Sequence, residues 1–306
     1  MSVLDQYFSL LTEGQDDAKF RQRAQDAFQK LLQVLPSKKD SWEQGAERGT
    51  RIDAKLRLGE VLDDKDMGDL VLTLSLERGH MSHYGGFRQK PEPTLEFFVD
   101  PESLGMKSWQ ARELKADSWK KLVQEKGSEI LRKIGTTFVH EFVHYMDWKR
   151  MGSRAGDVFT KTADSQRSSD KDEYERNIDY HNSPLEFNAF FQEGIANLEA
   201  YLKGLPPDQR MKTAEKLLGK SPDEFYRRVK AAAEERSSDF FKAGFVSNLM
   251  SKNQAKFKKR IAQAWNDVMG AEKSAQSTRG GQAADKTKAI DRLKAANARA
   301  KQKGTG

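Results

Sequence analysis

The segment "TTFVHEFVHYMD", residues 136–147, has two histidines four residues apart and a glutamate directly after the first. Apolar residues recur around it at steps of three and four, which predicts one helix from Ser128 to Arg150 with a buried stripe of Leu131, Ile134, Phe138, Phe142 and Met146. At about 100° per residue, His140 and His144 fall on the opposite face. They should therefore project toward whatever covers that face.

His140, Glu141 and His144 form the pattern H-E-x-x-H. Histidines at i and i+4 on one helical face can bind the same zinc ion, while the adjacent glutamate leans toward a metal-activated water. We therefore expect His140 and His144 to be ligands and Glu141 to be the general base that passes a proton to the leaving amine. The chain has no cysteine, so any zinc must be held by nitrogen and oxygen atoms.

A catalytic zinc usually has three protein ligands, and the third is the test of the pattern. Six residues after His144, where some zinc peptidases have a third histidine, this chain has Arg150. The candidates lie on the next predicted helix, which extends from Ser183 to Gly204 and carries Glu186 and Glu193. These two glutamates share a face but lie about 10 Å apart along the axis, so they cannot both bind one ion.

Several alternatives stay open for these residues. Glu186 could instead close a capping box with Ser183, the expected N-cap. Asp147 could orient a ligand histidine or pair with Arg150. Other residues that could supply the third ligand are His181, Asp179 and Asp147. Weaker candidates are Tyr180 and His181 as donors to an oxyanion, and His80 and His83 as a second metal site.

"HEFVH" followed by "PLEFNAFF" resembles the gluzincin type of zinc metallopeptidase over about residues 69–203. The resemblance implies that Glu186, followed three residues later by Ala189, is the third ligand, and that the fold is zincin-like. Many members of that family have an acid directly after the alanine, and this chain has Phe190 there. The resemblance also implies that an edge strand, here 94–100, binds an extended peptide.

The remaining patterns predict an α+β fold in which helices predominate and a small sheet flanks the active-site helix. Residues 69–79 and 94–100 read as strands joined by a loop, residues 4–35 as two helices, and 152–182 as a long loop. We expect four segments: an N-terminal helical segment at 1–60, a zincin-like domain at 61–205, a helical C-terminal part at 206–270 and a flexible basic tail at 271–306.

The net charge of +7 lies mostly in the tail, where nine Lys or Arg residues and three acids leave +1 for the other 270 residues. This tail could contact an acidic partner or nucleic acid, although it has no aromatic residues for base stacking. No apolar run approaches the length of a membrane span, and no secretory signal peptide is apparent. A location in the cytoplasm or in a larger assembly is expected.

The leading prediction is a zinc-dependent metallopeptidase that acts on a protein or peptide. The alternative is a structural or interaction component of a larger assembly, such as a phage particle or an effector, that carries a zincin domain. Glu141 favours the enzyme, because loss of the base is the simplest inactivating change. A nucleic-acid-binding helical protein directed by its tail is a third hypothesis.

Overall fold

A computed structural model describes residues 14–48, 51–77, 84–101, 104–152, 156, 158–160, 170–237 and 240–275. Within them the fold is α+β and predominantly helical, with one small sheet, as the sequence predicts. By their contacts the described residues fall into two compact units. The first lies within Met1–Leu198 and Ala232–Gln254, and the second within Glu199–Ala231 and Ala255–Gly306.

The helices and strands are numbered here in chain order. The strands are β1 Glu43–Arg48, β2 Arg51–Arg57, β3 Val71–Glu77, β4 Tyr84–Arg88 and β5 Thr94–Val99. The helices are α1 Gly14–Val34, α2 Leu58–Val61, α3 Ser108–Glu113, α4 Ala116–Lys133, α5 Gly135–Met151, α6 Glu173–Asn182, α7 Pro184–Gly204, α8 Pro207–Leu218, α9 Pro222–Glu234, α10 Ala243–Ser247 and α11 at residues 251–275.

The sheet has five strands in the order β1-β2-β3-β5-β4. Strands β3 and β5 are parallel, with Leu74 opposite Phe97, and the other three pairs are antiparallel. Alternate residues of β5 are buried, among them Leu95, Phe97 and Val99, which is the period-two pattern of a strand with one face on a core. This face receives the helix that carries the histidines.

Aromatic packing fixes α5 on the sheet. Phe138 stacks on Phe97 of β5 with ring centroids 6.0 Å apart, and it also contacts Phe28 of α1 at 5.0 Å and Phe142 at 5.7 Å. The predicted apolar stripe is confirmed, because Leu131, Ile134, Phe138 and Phe142 are buried and Met146 is partly buried against the same core. The opposite face of α5 is therefore free to carry polar chemistry.

The predicted single helix from Ser128 to Arg150 is wrong in one respect. The chain forms two helices there, and α4 ends at Lys133 before α5 begins at Gly135. A Cβ atom at Gly135 would lie 3.0 Å from the Phe28 ring, so the glycine lets α1 approach closely. Glycine also lowers helix propensity, which places the break at this point.

The sheet contains strands that the sequence patterns did not indicate. Residues 84–88, expected to be part of a loop, form β4, and β1 with β2 adds a hairpin within the segment expected to be helical. Strand β5 is not the edge strand that we expected, because β4 pairs with its outer side. The edge beside α5 therefore belongs to β4.

The predicted long loop at 152–182 is also partly wrong, because its last ten residues form α6. The N-cap is Asp172, whose side chain accepts a hydrogen bond of 2.8 Å from the Glu175 backbone N–H. A single residue, Ser183, separates α6 from α7. It begins at Pro184 and ends at Gly204, as predicted.

The second unit contains α8, most of α9 and the part of α11 that follows residue 254. The Trp265 indole N–H donates to the Gly219 carbonyl at 3.3 Å, and the rings of Tyr226 and Phe257 lie 6.3 Å apart. The four predicted segments have other boundaries than these units and stay a prediction. Most of the predicted basic tail, residues 276–306, lies outside the described residues, as do residues 4–13.

Among the described residues, no helix combines the length and the apolar character needed to cross a membrane.

Candidate metal centre

Helices α5 and α7 are joined by a buried polar contact. The Asn188 side-chain N–H donates to Asp147 Oδ2 at 2.9 Å, and Arg150 donates to the other carboxylate oxygen at 3.0 Å. Asp147 and Asn188 are both fully buried. Because a buried carboxylate needs such partners, this contact sets how the two helices face each other. Asp147 thus pairs with Arg150, one of the two roles expected from the sequence.

Three predicted ligands meet between these helices. Glu186 Oε2 lies 3.2 Å from His140 Nε2, and Glu186 Oε1 lies 3.4 Å from His144 Nε2. One ligand atom from each of the three residues lies within 4.8 Å of the others, and all three residues are buried. This buried His-His-Glu group could hold a metal ion.

The spacing of these atoms suits a small tetrahedral ion. Zinc takes nitrogen and oxygen ligands at about 2.0–2.1 Å, so two ligand atoms of a tetrahedral site lie about 3.3 Å apart. Each histidine Nε2 lies at about this distance from a different oxygen of Glu186, 3.2 Å from Oε2 for His140 and 3.4 Å from Oε1 for His144. The rings of His140 and His144 are in edge-to-face contact, with centroids 4.9 Å apart and planes that differ by 83°.

The charges of His140, His144 and Glu186 shift one another's pKa values. Burial alone would lower the pKa of His140, but its hydrogen bonds to Glu186 and Glu193 outweigh burial and raise that pKa to about 10. Against the effect of burial, the two histidines hold the pKa of Glu186 well below its usual range. The pKa of His144 is likewise raised, because the charge of Glu186 outweighs burial.

Glu141 lies in the same cluster with a different character. Burial raises its pKa, even though both neighbouring histidines act in the opposite direction. Among the described residues, Glu141 Oε2 and His144 Nδ1 are buried atoms without a hydrogen-bond partner. A buried carboxylate with a raised pKa and an unpartnered oxygen is suited to accept a proton. The buried nitrogen and oxygen atoms of His140, His144 and Glu186 form a ligand set that fits a bound metal ion.

The two glutamates of α7 have separate positions. Glu186 faces both histidines, whereas Glu193 faces only one of the two, with its Oε2 3.1 Å from His140 Nδ1. The capping alternative accounts only for the backbone of Glu186, whose N–H donates to Ser183 Oγ at 3.4 Å. Along α7, Phe190 comes between Glu186 and Glu193, and its ring centroid lies 4.5 Å from that of His140.

Tyr180 and His181, at the end of α6, lie beside the cluster. Burial raises the pKa of Tyr180, and Glu186 adds to the effect through its charge and a hydrogen bond with the hydroxyl. Burial lowers the pKa of His181 to about 4, and its Nδ1 lies 3.0 Å from the Asn248 side-chain nitrogen. Tyr180 therefore reaches the carboxylate of Glu186, and His181 is held by α6 and the segment after α10.

Asp179, another sequence candidate, is not part of the His-His-Glu group. Asp179 pairs with Lys171 on the exposed side of α6. His80 and His83, proposed as a second metal site, lie outside the described residues. The sequence alternatives that name Asp179 or His181 as the third ligand therefore have no support from this geometry.

Strand β4 is a part of the site that the sequence patterns missed. A Cβ atom at Gly85 would lie 2.7 Å from Thr137 Cγ2 and 3.0 Å from Glu141 Cγ, so only glycine lets the strand pass this close to α5. The available signal was the pair Gly85-Gly86 between aromatic residues. Glycines within a strand often mark a close approach of backbone to another element.

Comparisons of this chain with protein-family models, with curated proteins and with solved structures find no match.

Proposed function

We propose that this chain is a zinc-dependent metallopeptidase of the gluzincin type that hydrolyses peptide bonds in a protein or peptide. The observation that carries the proposal is the convergence of His140, His144 and Glu186 at separations that suit a tetrahedral ion, with Glu141 beside them. His140 and His144 would hold the zinc through Nε2, and Glu186 through its carboxylate. Bound there, zinc supplies Lewis-acid polarisation of a carbonyl and activation of water at neutral pH.

Glu141 is the general base in this proposal. Its buried carboxylate has a raised pKa and an oxygen, Oε2, that is unpartnered among the described residues. These properties suit a group that takes a proton from the attacking water and later gives it to the leaving amine. In this proposal Glu141 Oε2 both accepts the proton of the attacking water and donates it to the leaving amine.

Tyr180 is the proposed donor to the developing oxyanion. Its raised pKa keeps the hydroxyl protonated at all physiological pH values, so it remains a donor. The hydroxyl already reaches the carboxylate of Glu186, which places it beside the atoms that would hold the ion.

Strand β4 is the proposed binding edge for the substrate. It is the last strand in the sheet order, so among the described residues one of its edges pairs with no strand. Gly85 brings this edge next to Glu141. An extended peptide could pair with such an edge through its backbone, which would present its carbonyl groups to the base. A mixed sheet with this antiparallel edge beside the motif helix supports a zincin-like fold.

The test is hydrolysis of a mixed-peptide library by the zinc-loaded full chain, with Glu141→Gln as the matched variant. Gln has the same shape but cannot act as a base. The proposal expects cleavage by the wild type and a loss of at least about 10²-fold in Glu141→Gln, with zinc retained. Equal cleavage by both proteins contradicts the role of Glu141, and zinc uptake without any cleavage favours the alternative of an assembly component.

A further inference from the structure

The imidazole of His140 lies between two carboxylates of one helix. Glu186 Oε2 is 3.2 Å from Nε2, and Glu193 Oε2 is 3.1 Å from Nδ1. His140 and Glu193 are each 4% exposed, so water hardly competes for this contact. Both ring nitrogens therefore have a defined partner, one on the side of the metal group and one on the far side.

We propose that Glu193 is a positioning residue that accepts the Nδ1–H hydrogen bond of His140 and that Lys242 in turn holds the Glu193 carboxylate. This inference rests on the proposed zinc site. With the proton fixed on Nδ1, the lone pair of Nε2 faces His144 and Glu186, which is the tautomer and orientation that a metal ligand needs. Glu193 would thus act through His140 and would not touch the ion.

The spacing of Glu186 and Glu193 on α7 explains how Glu193 can accept the hydrogen bond of His140. Glu186 and Glu193 are seven residues apart, which is about two helical turns and about 10.5 Å along the axis. An imidazole ring with a hydrogen bond at each end bridges such a span. Phe190, where the gluzincin pattern has an acid, presents its ring 4.5 Å from His140 and cannot accept a hydrogen bond in the same way. Glu193 provides the acceptor one turn further along.

Lys242 connects this contact to the chain segment before α10. Its Nζ atom lies 3.5 Å from Glu193 Oε2 and 4.8 Å from the centre of the Phe190 ring. The side chain is 56% exposed, so the ammonium reaches a buried carboxylate from the surface. The ammonium contacts the same oxygen, Glu193 Oε2, that faces His140 Nδ1, and so helps to hold the carboxylate that orients the imidazole.

Gly194 is what allows that segment to approach α7. A Cβ atom at residue 194 would lie 2.3 Å from Cδ1 of Phe241, so the ring of Phe241 packs directly on the helix backbone. Phe241 is 2% exposed and directly precedes Lys242. The close packing of Phe241 thus anchors the residue whose ammonium pairs with Glu193.

The experiment measures the zinc dissociation constant of the full chain by competition with a chromophoric chelator. The variants are Glu193→Ala, Glu193→Gln and Lys242→Met. Gln192→Ala is the matched control, because Gln192 is an equally buried neighbour on α7 that accepts a hydrogen bond from Arg21 at 2.9 Å. The melting temperature of each metal-free variant separates a loss of folding from a loss of affinity.

We expect Glu193→Ala to bind zinc about 10- to 100-fold more weakly, and Glu193→Gln, which keeps an acceptor oxygen, to recover part of that loss. Lys242→Met should weaken binding by about two- to fivefold without a change in folding, because only a partly exposed ion pair is removed. Gln192→Ala should lower the melting temperature but leave zinc affinity unchanged.

Two results would overturn the inference while the proposed function stands. Zinc affinity in Glu193→Ala and Lys242→Met could equal that of the wild type, or Gln192→Ala could weaken it as much as Glu193→Ala does. If Glu193→Ala does not fold, the zinc affinities of Glu193→Gln and Lys242→Met decide, and values equal to that of the wild type would overturn the inference. A wild type that binds no zinc would instead overturn the proposed function and this inference with it.

Discussion

Gly85 of β4 lies so close to Glu141 of α5 that a Cβ atom at residue 85 would come within 3.0 Å of Glu141 Cγ. The same atom would lie 2.7 Å from Thr137 Cγ2. The edge of the sheet and the proposed base are therefore in contact through a residue without a side chain. A substitution at Gly85 can therefore test how closely β4 packs against α5.

Gly85→Ala should destabilise the fold by about 1–3 kcal/mol, because the added methyl group must displace α5 or β4. Gly86→Ala is its matched control, since a Cβ atom at residue 86 would have no neighbour within 4 Å. The measurement is urea unfolding of both variants together with peptide hydrolysis. Gly85→Ala with wild-type stability and activity would show that the strand does not pass this close.

Zinc binding should release protons. The pKa of His140 is raised to about 10, so its imidazole holds an extra proton at pH 7 in the metal-free protein, and the pKa of His144 is raised as well. A metal ligand must be neutral, so we expect release of about one to two protons per zinc bound at pH 7. Titration calorimetry in buffers of different ionisation enthalpy measures this number, and a heat that does not depend on the buffer contradicts it.

The raised pKa of His140 also determines how zinc affinity and the stability of the metal-free protein change with pH. Zinc affinity should increase as pH rises toward about 10, because less work is then needed to remove the proton from His140. In the metal-free protein the raised pKa of His140 stabilises the fold fully below its ordinary value of 6.5, and this contribution is lost as pH rises through about 10. Urea unfolding of metal-free protein across pH 6–10 should therefore show a decrease in stability that is smaller in His140→Ala, where only His144 retains a raised pKa.

Asp147 and Asn188 should be coupled. Each single change to alanine should cost about 1–3 kcal/mol, because it removes one side of a buried hydrogen bond to a carboxylate. The double variant should lose less than the sum of the two, by about 0.5–3 kcal/mol. A double-mutant cycle of unfolding free energies measures this difference, and strict additivity would mean that the contact does not join α5 to α7 as described.

Gly194→Ala should reverse the usual effect of alanine in a helix. Alanine in place of glycine normally stabilises a helix interior by up to about 1 kcal/mol. Here the added Cβ atom would lie 2.3 Å from the Phe241 ring, so we expect a loss of about 1–3 kcal/mol. Gly204→Ala in the same helix meets nothing within 4 Å and should cause no loss. Thermal unfolding compares the two, and a stabilised Gly194→Ala would refute the packing of Phe241.

Periodicity predicted the parts of this fold that carry strong apolar patterns. The stripe through Phe138 and Phe142, and the helix from Pro184 to Gly204, follow directly from spacing and end signals. Strand β5 was also indicated by its run of aromatic and β-branched residues. Each of these segments buries side chains whose spacing is visible without knowledge of their partners.

The missed strands have no such local signal. Strand β1 has the sequence "EQGAER", without residues that favour strands, and in β4, "YGGFR", two glycines that disfavour strands separate the two aromatic residues that favour them. They form because β2 and β5 offer them a ladder of backbone hydrogen bonds. Tertiary pairing therefore outweighs local propensity at both outer strands of the sheet.

For the site, the sequence placed the histidines and both glutamates on helices, and only the family resemblance favoured Glu186 over Glu193 as the third ligand. The axial distance between the two glutamates showed only that they could not share one ion. The register of α7 against α5, which Asp147 and Asn188 set by contact, decides which carboxylate meets which ring nitrogen of His140. That register depends on long-range packing, which a single sequence does not display.

The most direct test of the account is the zinc content of the full chain after dialysis against zinc and removal of excess, measured by inductively coupled plasma mass spectrometry. Glu186→Ala and His140→Ala are compared with Asp179→Ala, an acid on α6 that pairs with Lys171 away from the group. The account predicts about one zinc per chain in the wild type and in Asp179→Ala, and a sharp fall in the other two. A wild type that takes up no zinc, or a Glu186→Ala variant that keeps it fully, would contradict the account.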